Sequence, residues 1–233
     1  TDELLRLADP AEWNYNRRKL NKALNRLTGE DIRVIGASRT DSGVHALGNV
    51  AVFDTESPIP PERFSYALNQ RLPEDIVVVK SDEVPLDWHP RYQDNISKTY
   101  EYHITMPDAE SIKDTILYIC IVSLDIGAMR EGAKYLIGAH DFVSFCNIRT
   151  NTQDTVRTVY DLTIEKKMMD CAENHRKWIF VQHGPHYRRC PDPGRRGFYT
   201  PEKVKEILEA KVHTSEGATA LPNGLVLVKI DYK

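Results

Sequence analysis

The spacing of hydrophobic residues predicts alternating helices and strands in the first half of the chain. Asp9-Pro10-Ala-Glu12 has the form of a helix start, and Gly29 has the form of a helix end. Between them, four apolar residues share one face at helical spacing: Trp13, Leu20, Leu24 and Leu27. Pro60-Pro61 opens a second helix, which Pro73 ends. Runs rich in β-branched and aromatic residues predict three strands, at 31–36, 47–54 and 75–80.

The second half of the chain repeats this plan in a fuller form. The spacing predicts helices over 125–137 and from Thr200-Pro201 onward. It also predicts four strands, at 99–104, 155–165, 177–182 and 225–232. The resulting order, β-α-β-β-α-β, is that of a ferredoxin-like unit, and the first half shows the same order without its first strand. We therefore predict an α+β fold of two such units, 1–96 and 97–233, the first truncated at its N-terminus.

Composition is that of a globular protein and does not by itself indicate a nucleic-acid partner. Of 233 residues, 41% are hydrophobic and 28% charged, and the net charge is −3, with Lys and Arg clustered only locally. No apolar run approaches the roughly 20 residues that span a membrane, so we expect no membrane partner. The four cysteines form no Cys-x-x-Cys pair, and we expect reduced thiols in an intracellular compartment.

The loop Gly36–Ala46, between the first two predicted strands, is the strongest candidate for chemistry. It places Arg39 two residues before Asp41, in a polar stretch flanked by glycines. A nearby cation keeps a partly buried carboxylate ionised, so that it can act as a nucleophile or a base. From spacing alone, a hairpin turn with an exposed ion pair is the more common alternative.

Four motifs together resemble one enzyme family. Arg39-Thr-Asp-Ser-Gly-Val-His-Ala46 closely resembles the signature loop of TruA-type tRNA pseudouridine synthases, which reads Arg-Thr-Asp-x-Gly-Val-His-Ala. Ser97–Tyr102, Gly138–Phe145 and Pro222–Leu227 resemble the family's later motifs. The resemblance implies isomerisation of uridine to pseudouridine in tRNA, without metal or organic cofactor. It also implies that the two units share a mixed, mainly antiparallel sheet with a central cleft. A eukaryotic or organellar branch is one reading, so the compartment is cytoplasmic or mitochondrial, and a homodimer remains open.

The resemblance also assigns roles to individual residues. Asp41 is the implied catalytic carboxylate, and Arg39 is the arginine that holds the flipped nucleotide or a phosphate. Tyr100 matches the tyrosine beside the target base, although ordinary sheet core is an alternative for this position. Arg188 matches the arginine that pairs with the catalytic aspartate, but its spacing from His186 is one residue shorter than in the family. His140, Asp141 and Phe142 belong to the third motif, where they shape the cleft or cap a turn.

Two parts of the chain depart from the family pattern. The family's first strand, with a Tyr-x-Gly-like motif and a Gly-Trp-Gln-like turn, has no counterpart before Asp9. Residues 183–198 hold three prolines, three glycines and four arginines where the family has a mostly apolar helix. Either a diverged loop or a local misreading of the coding sequence explains such a segment. We predict an irregular loop there, with Arg188 either away from Asp41 or poorly held, and therefore weak or absent activity.

Two other functions remain open. A synthase-like module that binds tRNA without turnover would fit the two departures from the family. A metal-dependent hydrolase would use His183, His186 and Cys190, whose spacing resembles that of metal ligands, although no fourth ligand is evident.

Overall fold

The protein is a mixed α+β structure, as the sequence predicts at that level. The structure is a computed structural model that describes residues 10–38, 40, 43–93, 96–105, 118–119, 125–145, 154–171, 174–181, 200–212, 222 and 224–232. The helices are α1 (Pro10–Thr28), α2 (Phe64–Asn69), α3 (Ile126–Lys134) and α4 (Pro201–Ala210). The strands are β1 (Ile35–Gly36), β2 (His45–Ala46), β3 (Ala51–Val52), β4 (Ser97–Tyr102), β5 (Ile104–Thr105), β6 (Tyr118–Ile119), β7 (Gly138–Asp141), β8 (Val156–Val159), β9 (Ile164–Cys171), β10 (Asn174–Val181) and β11 (Leu225–Asp231).

Packing divides the chain into two compact units. Unit 1 comprises residues 1–42, 49–97 and 231–233, and unit 2 comprises residues 43–48 and 98–230. Two short segments therefore cross the boundary predicted at residue 96. The segment 43–48 belongs to unit 2, because β2 pairs with β11. The segment 231–233 belongs to unit 1, because Tyr232 packs on Trp88. The two domains, 1–96 and 97–233, stay a prediction.

Helix α1 organises the core of unit 1. It begins at Pro10 and ends where predicted, because Gly29 takes a left-handed backbone (φ +81°) and its N–H donates to the carbonyl of Asn25 at 2.9 Å. Its buried face carries Leu24, which is 1% exposed. This face packs with five other buried residues: Ala23, Ile32, Val34, Phe64 and Leu68. The helical spacing of the leucines thus gave the right buried face.

The first two predicted strands are much shorter than expected. Of 31–36 only Ile35 and Gly36 form a strand, because the amides of Ile32 and Val34 donate instead to the side chains of Asn25 (2.9 Å) and Asn21 (3.1 Å) on α1. Of 47–54 only Ala51 and Val52 form β3, which pairs antiparallel with β1. The asparagines satisfy backbone groups that a neighbouring strand would otherwise bind.

The strand predicted at 75–80 does not form, and this prediction is wrong. The N–H and the carbonyl of Val78 bond to the two ends of the Asn69 side-chain amide, at 2.8 and 2.9 Å. Val77 and Val79 on either side are 68% and 83% exposed. The backbone of Val78, within a run of four β-branched residues, is therefore bound by a side chain rather than by a neighbouring strand.

Unit 2 contains the predicted helices and strands with shifted ends. Asp125 caps α3 through the Ala128 N–H at 3.0 Å, and Thr200 caps α4 through the Lys203 N–H at 3.3 Å. The strand predicted at 155–165 is divided between β8 and the start of β9. The strand predicted at 177–182 corresponds to β10, which starts earlier and pairs antiparallel with β9, Val181 opposite Ile164. The sheet that matters for the site has the order β2-β11-β4.

Candidate active site around the signature loop

The signature loop starts from a buried, hydrogen-bonded base at the end of β1. Ala37 and Ser38 are 3% and 4% exposed. The Ala37 N–H donates to the carbonyl of Val50 at 2.7 Å, and the Asn49 side-chain amide donates to the carbonyl of Ser38 at 3.4 Å. Arg39 and Asp41, the predicted substrate-binding arginine and catalytic carboxylate, lie outside the described residues. The structure describes the two residues that precede Arg39, and both are buried and hydrogen-bonded.

Arg91 is an additional residue at this base that the sequence analysis missed. Its guanidinium Nε donates to the carbonyl of Gly36 at 2.7 Å, across 55 positions of sequence. Neither hydrophobic spacing nor a local motif indicates such a contact. The only sequence signal is its place at the end of the proline-containing connector 82–90.

The loop returns through β2, which is built into the sheet of unit 2. Gly43 takes a left-handed backbone (φ +84°), and His45 and Ala46 then pair in parallel with Val226 and Leu227 of β11. The Leu47 N–H extends this pairing with a 2.8 Å bond to the carbonyl of Leu227, whose side chain is fully buried. Both ends of the loop are therefore held by backbone hydrogen bonds, each within its own unit.

Gly48 allows this close approach, and Gly48→Ala tests it. A Cβ at this position would collide with the carbonyl of Val228 and lie 2.8 Å from the Cα of Lys229. Since backbone cannot easily move aside, we expect the substitution to lower the free energy of unfolding by about 1–3 kcal/mol in urea titrations. Gly29→Ala is the control. No atom lies within 4 Å of the Cβ that it would add, so its loss of stability comes only from the left-handed backbone of this residue. A Gly48→Ala variant as stable as the parent would contradict the close approach.

Tyr100 lies in the same sheet as the loop exit. It is a half-buried residue of β4, and β11 lies between β4 and β2. The His103 N–H, just past β4, donates to the carbonyl of Gly224 at 2.8 Å. Since neighbouring strands are about 4.8 Å apart, β4 and the loop exit are separated by about 10 Å. The sheet thus brings the second motif near the end of the signature loop, while the position of Tyr100 relative to Asp41 is not described.

The third motif caps a turn, one of the two roles expected of it. Asp141 accepts hydrogen bonds from the Thr155 hydroxyl at 2.6 Å and from the Val143 N–H at 3.1 Å, at the start of the turn Val143–Phe145. The Thr155 bond is the main cause that holds the pKa of Asp141 below its ordinary value of 3.8, against partial burial, which raises it. The Nε2 of His140 lies 2.9 Å from the carbonyl of Ile137.

The pKa direction of Asp141 predicts a pH dependence for Thr155→Val. Because the folded pKa is below the unfolded one, the stabilisation is present above about pH 4 and is lost as the pH falls through the folded value. We expect the variant to be less stable by about 0.5–1.5 kcal/mol at pH 7, with the difference shrinking below pH 4. Urea titrations at pH 3 and 7 measure it. Thr163→Val, which removes an exposed bond to Asp161, is the control. A deficit that grows in acid would refute this account.

Several predicted residues are not located. Arg188 and the segment 183–198 lie outside the described residues, as do His183, His186 and Cys190. The part of the chain that the structure describes holds no group of three or more His, Cys, Asp or Glu placed to bind a metal ion. Within the same part, no helix is long and apolar enough to cross a membrane.

Comparison with known proteins identifies the family. The model of a family described as tRNA pseudouridine synthase matches residues 5–93 and 133–183. A Thermoanaerobacter protein named tRNA pseudouridine synthase A is 40% identical, over 94% of this chain and 93% of its own length. The chain belongs to the tRNA pseudouridine synthase family. Relatives of the same name from Brevibacillus brevis and Clostridium acetobutylicum are each 37% identical, over 92% of this chain and 88% of their own lengths.

The family model matches some of the predicted motifs and leaves others outside its matched ranges. The family match includes the signature loop and the third motif, and it stops at residue 183, where the proline-rich segment begins. The second motif, Ser97–Tyr102, falls outside the matched ranges of the family model. The three relatives are bacterial and give a eukaryotic or organellar branch no support.

Proposed function

We propose that this protein isomerises uridine to pseudouridine in tRNA, with Asp41 as the catalytic carboxylate. The observation that carries the proposal is the Arg39–Ala46 signature in a chain of this family, on a loop whose two ends are fixed by backbone pairing. Relatives that share 37–40% of its residues are named for this activity. The described residues that flank Asp41 fit the need for a fixed carboxylate on a rigid support.

The proposed reaction needs only groups that the chain and the tRNA supply. The Asp41 carboxylate acts beside the ribose as nucleophile or base while the bond from the ribose to uracil nitrogen breaks. The uracil turns within the site and rejoins through its carbon 5. The proton on carbon 5 is then lost and the nitrogen is protonated, so that product and substrate have the same atoms. Neither redox change nor organic cofactor is part of this balance.

Arg39 and Tyr100 would hold the substrate in this scheme. A uridine inside a folded tRNA must leave its stack, at a cost of a few kcal/mol. Arg39, two residues from Asp41, is suited to hold the flipped nucleotide or a phosphate through its planar set of donors. Tyr100, half-buried on β4, offers a ring for stacking and a hydroxyl for a hydrogen bond with the base. Arg188 is the remaining candidate, as a partner for the Asp41 charge.

The finer architecture is also part of this proposal. Two ferredoxin-like units, the first without its first strand, would share a sheet with the substrate cleft at its centre. In unit 2 the order β4, α3, β9, β10, α4, β11 supports the β-α-β-β-α-β plan, with β5–β8 as additions. In unit 1 the order α1, β1, β3, α2 supports the first four elements of the shortened plan, whose last strand, predicted at 75–80, does not form.

Tritium release from tRNA labelled at carbon 5 of uracil tests the proposed function. Formation of the carbon–carbon bond expels the label, so an active protein releases one tritium for each pseudouridine. Since pseudouridine has the same mass as uridine, digestion to nucleosides and chromatographic separation against a pseudouridine standard identifies the product. Salt-dependent tRNA binding without release would instead support the tRNA-binding module, whose favouring observation is the unusual segment 183–198. Assays of single-uridine variants of one tRNA would locate the modified positions.

A further inference from the structure

The carbonyl of Gly36 lies at the end of β1, just before the signature motif, and a charged side chain binds it. The Nε of Arg91 lies 2.7 Å from this oxygen. The bond is charge-assisted and partly buried, which places it among the stronger hydrogen bonds of proteins. Gly36 precedes Asp41 by five residues, so this bond holds the backbone at the end of β1, where the chain toward Asp41 begins.

Arg91 is itself held by the residues immediately around it. Its backbone N–H donates to Nδ1 of His89 at 3.1 Å. The His89 ring stacks on that of Tyr92, with centroids 4.5 Å apart and planes 28° apart. Pro90, between them, is one of the most completely buried residues of the described chain. A side chain on such a short, locally bonded segment has little freedom to change direction.

The end of the chain fastens this segment from the other side. The Tyr232 hydroxyl donates to the carbonyl of Pro90 at 2.9 Å, and its ring lies 5.0 Å from that of Trp88. Burial raises the pKa of Tyr232 to about 12, so the hydroxyl keeps its proton, and its role as a donor, at any physiological pH. A series of contacts therefore connects Tyr232 to residues 88–91 and, through Arg91, to Gly36, all within unit 1.

We propose that Arg91 is a positioning residue for the signature loop, fixed by the 88–92 segment and Tyr232, and that it sets the direction in which the chain leaves β1 toward Asp41. The proposal rests on the proposed function for its effect on turnover, but its effect on the loop base is independent of any activity. A displacement of about 1 Å at a reacting group can cost a hundredfold in rate, so a contact at the base of the loop has leverage over catalysis.

Arg91→Gln and a matched control test the proposal. The control is Arg130→Gln, because the Nε of Arg130 also donates to a backbone carbonyl, that of Ile164 at 2.9 Å, in a partly buried setting of unit 2. Single-turnover rates at saturating tRNA, tRNA affinity, and hydrogen exchange of the Ala37 amide are measured for both. We expect Arg91→Gln to lower the rate at least tenfold, to change affinity less than threefold, and to speed Ala37 exchange at least tenfold. Arg130→Gln should leave the rate and Ala37 exchange within twofold of the parent.

Further variants keep the test decisive. Arg91→Lys preserves the charge without the fixed N–H direction, and we expect its rate to fall between those of the parent and Arg91→Gln. Full activity in Arg91→Lys would overturn the proposal that the Nε–H of Arg91 positions the chain at Gly36, since a positive charge at residue 91 would then be sufficient for turnover. If Arg91→Gln does not fold, Tyr232→Phe removes a single hydroxyl from the support, and it should speed Ala37 exchange at least twofold. Unchanged exchange in Tyr232→Phe would then overturn the proposal.

Hydrogen exchange also separates this proposal from the proposed function. If the parent protein binds tRNA but releases no tritium, the proposed function fails. Faster exchange of the Ala37 amide in Arg91→Gln, but not in Arg130→Gln, would still support the positioning role. Equal exchange in the two variants would overturn it, whether or not the protein is active.

Discussion

Asp41→Asn is expected to abolish pseudouridine formation while tRNA affinity changes by less than threefold. The substitution keeps the shape of the side chain but removes the charge and the nucleophilic or basic oxygen that the reaction needs. Loss of a group that takes part in the chemistry reduces turnover by about a thousandfold or more in other enzymes. Affinity should persist, because tRNA binding depends largely on phosphate contacts made elsewhere. Tritium release and filter binding measure the two effects on the same preparation.

The control for this experiment is Asp54→Asn, which makes the same change of charge in unit 1. Asp54 is exposed and lies two residues after β3, so turnover should stay within twofold of the parent. Turnover of Asp41→Asn within tenfold of the parent would exclude Asp41 as the catalytic group. Equal losses in both variants would point to a general effect of charge on tRNA binding, which the affinity measurement would reveal.

Helices were predictable from the sequence because their determinants are local. Pro10 and Gly29 mark the two ends of α1, and Thr200-Pro201 marks the start of α4. The buried face of α1 follows from the spacing of its leucines, since residues three and four apart share one side of a helix. None of these features needs information from a distant part of the chain.

Strands were less predictable, because their backbone groups can bond to partners far away in sequence. The run 75–80 has strong β propensity, yet Asn69 binds both polar groups of Val78. Asn21 and Asn25 do the same for the residues before β1. A hydrophobic pattern reports which side of a segment is buried, but it does not report which group satisfies the backbone.

The same difference between local and long-range determinants applies to the candidate site. The signature loop was recognised from eight consecutive residues, and Tyr100 was placed on the strand predicted at 99–104, in the second motif. The partners that hold the loop were not recognisable, since Arg91 lies 55 residues from Gly36, and β11 lies about 180 residues from β2. The sequence therefore indicates which groups are candidates for the chemistry, and long-range contacts hold the described residues on either side of them.

The segment 183–198 is expected to limit the activity of this chain. In a closed site the charge of Asp41 needs a facing cation, and loss of one partner from a buried ion pair costs about 3–5 kcal/mol. Arg188 is the candidate, but Pro185, Pro191, Pro193 and Gly194 surround it. Prolines and glycines at this density disfavour the helix that would fix the direction of the arginine, so we expect an irregular loop. We therefore expect the chain as it stands to turn over slowly, with an Arg188 that contributes little.

Replacing 183–198 by the aligned segment of the Thermoanaerobacter relative should raise single-turnover activity about a hundredfold or more. The estimate converts 3–5 kcal/mol of charge stabilisation into rate, at 1.36 kcal/mol for each factor of ten. Arg188→Ala in the parent is the matched comparison, and we expect its rate to stay within threefold, since a poorly placed cation does not act on Asp41. The same arginine-to-alanine change within the exchanged segment should then remove most of the gain. A parent that is already as active as the exchanged protein, and that loses this activity in Arg188→Ala, would show that the proline-rich segment places its arginine well.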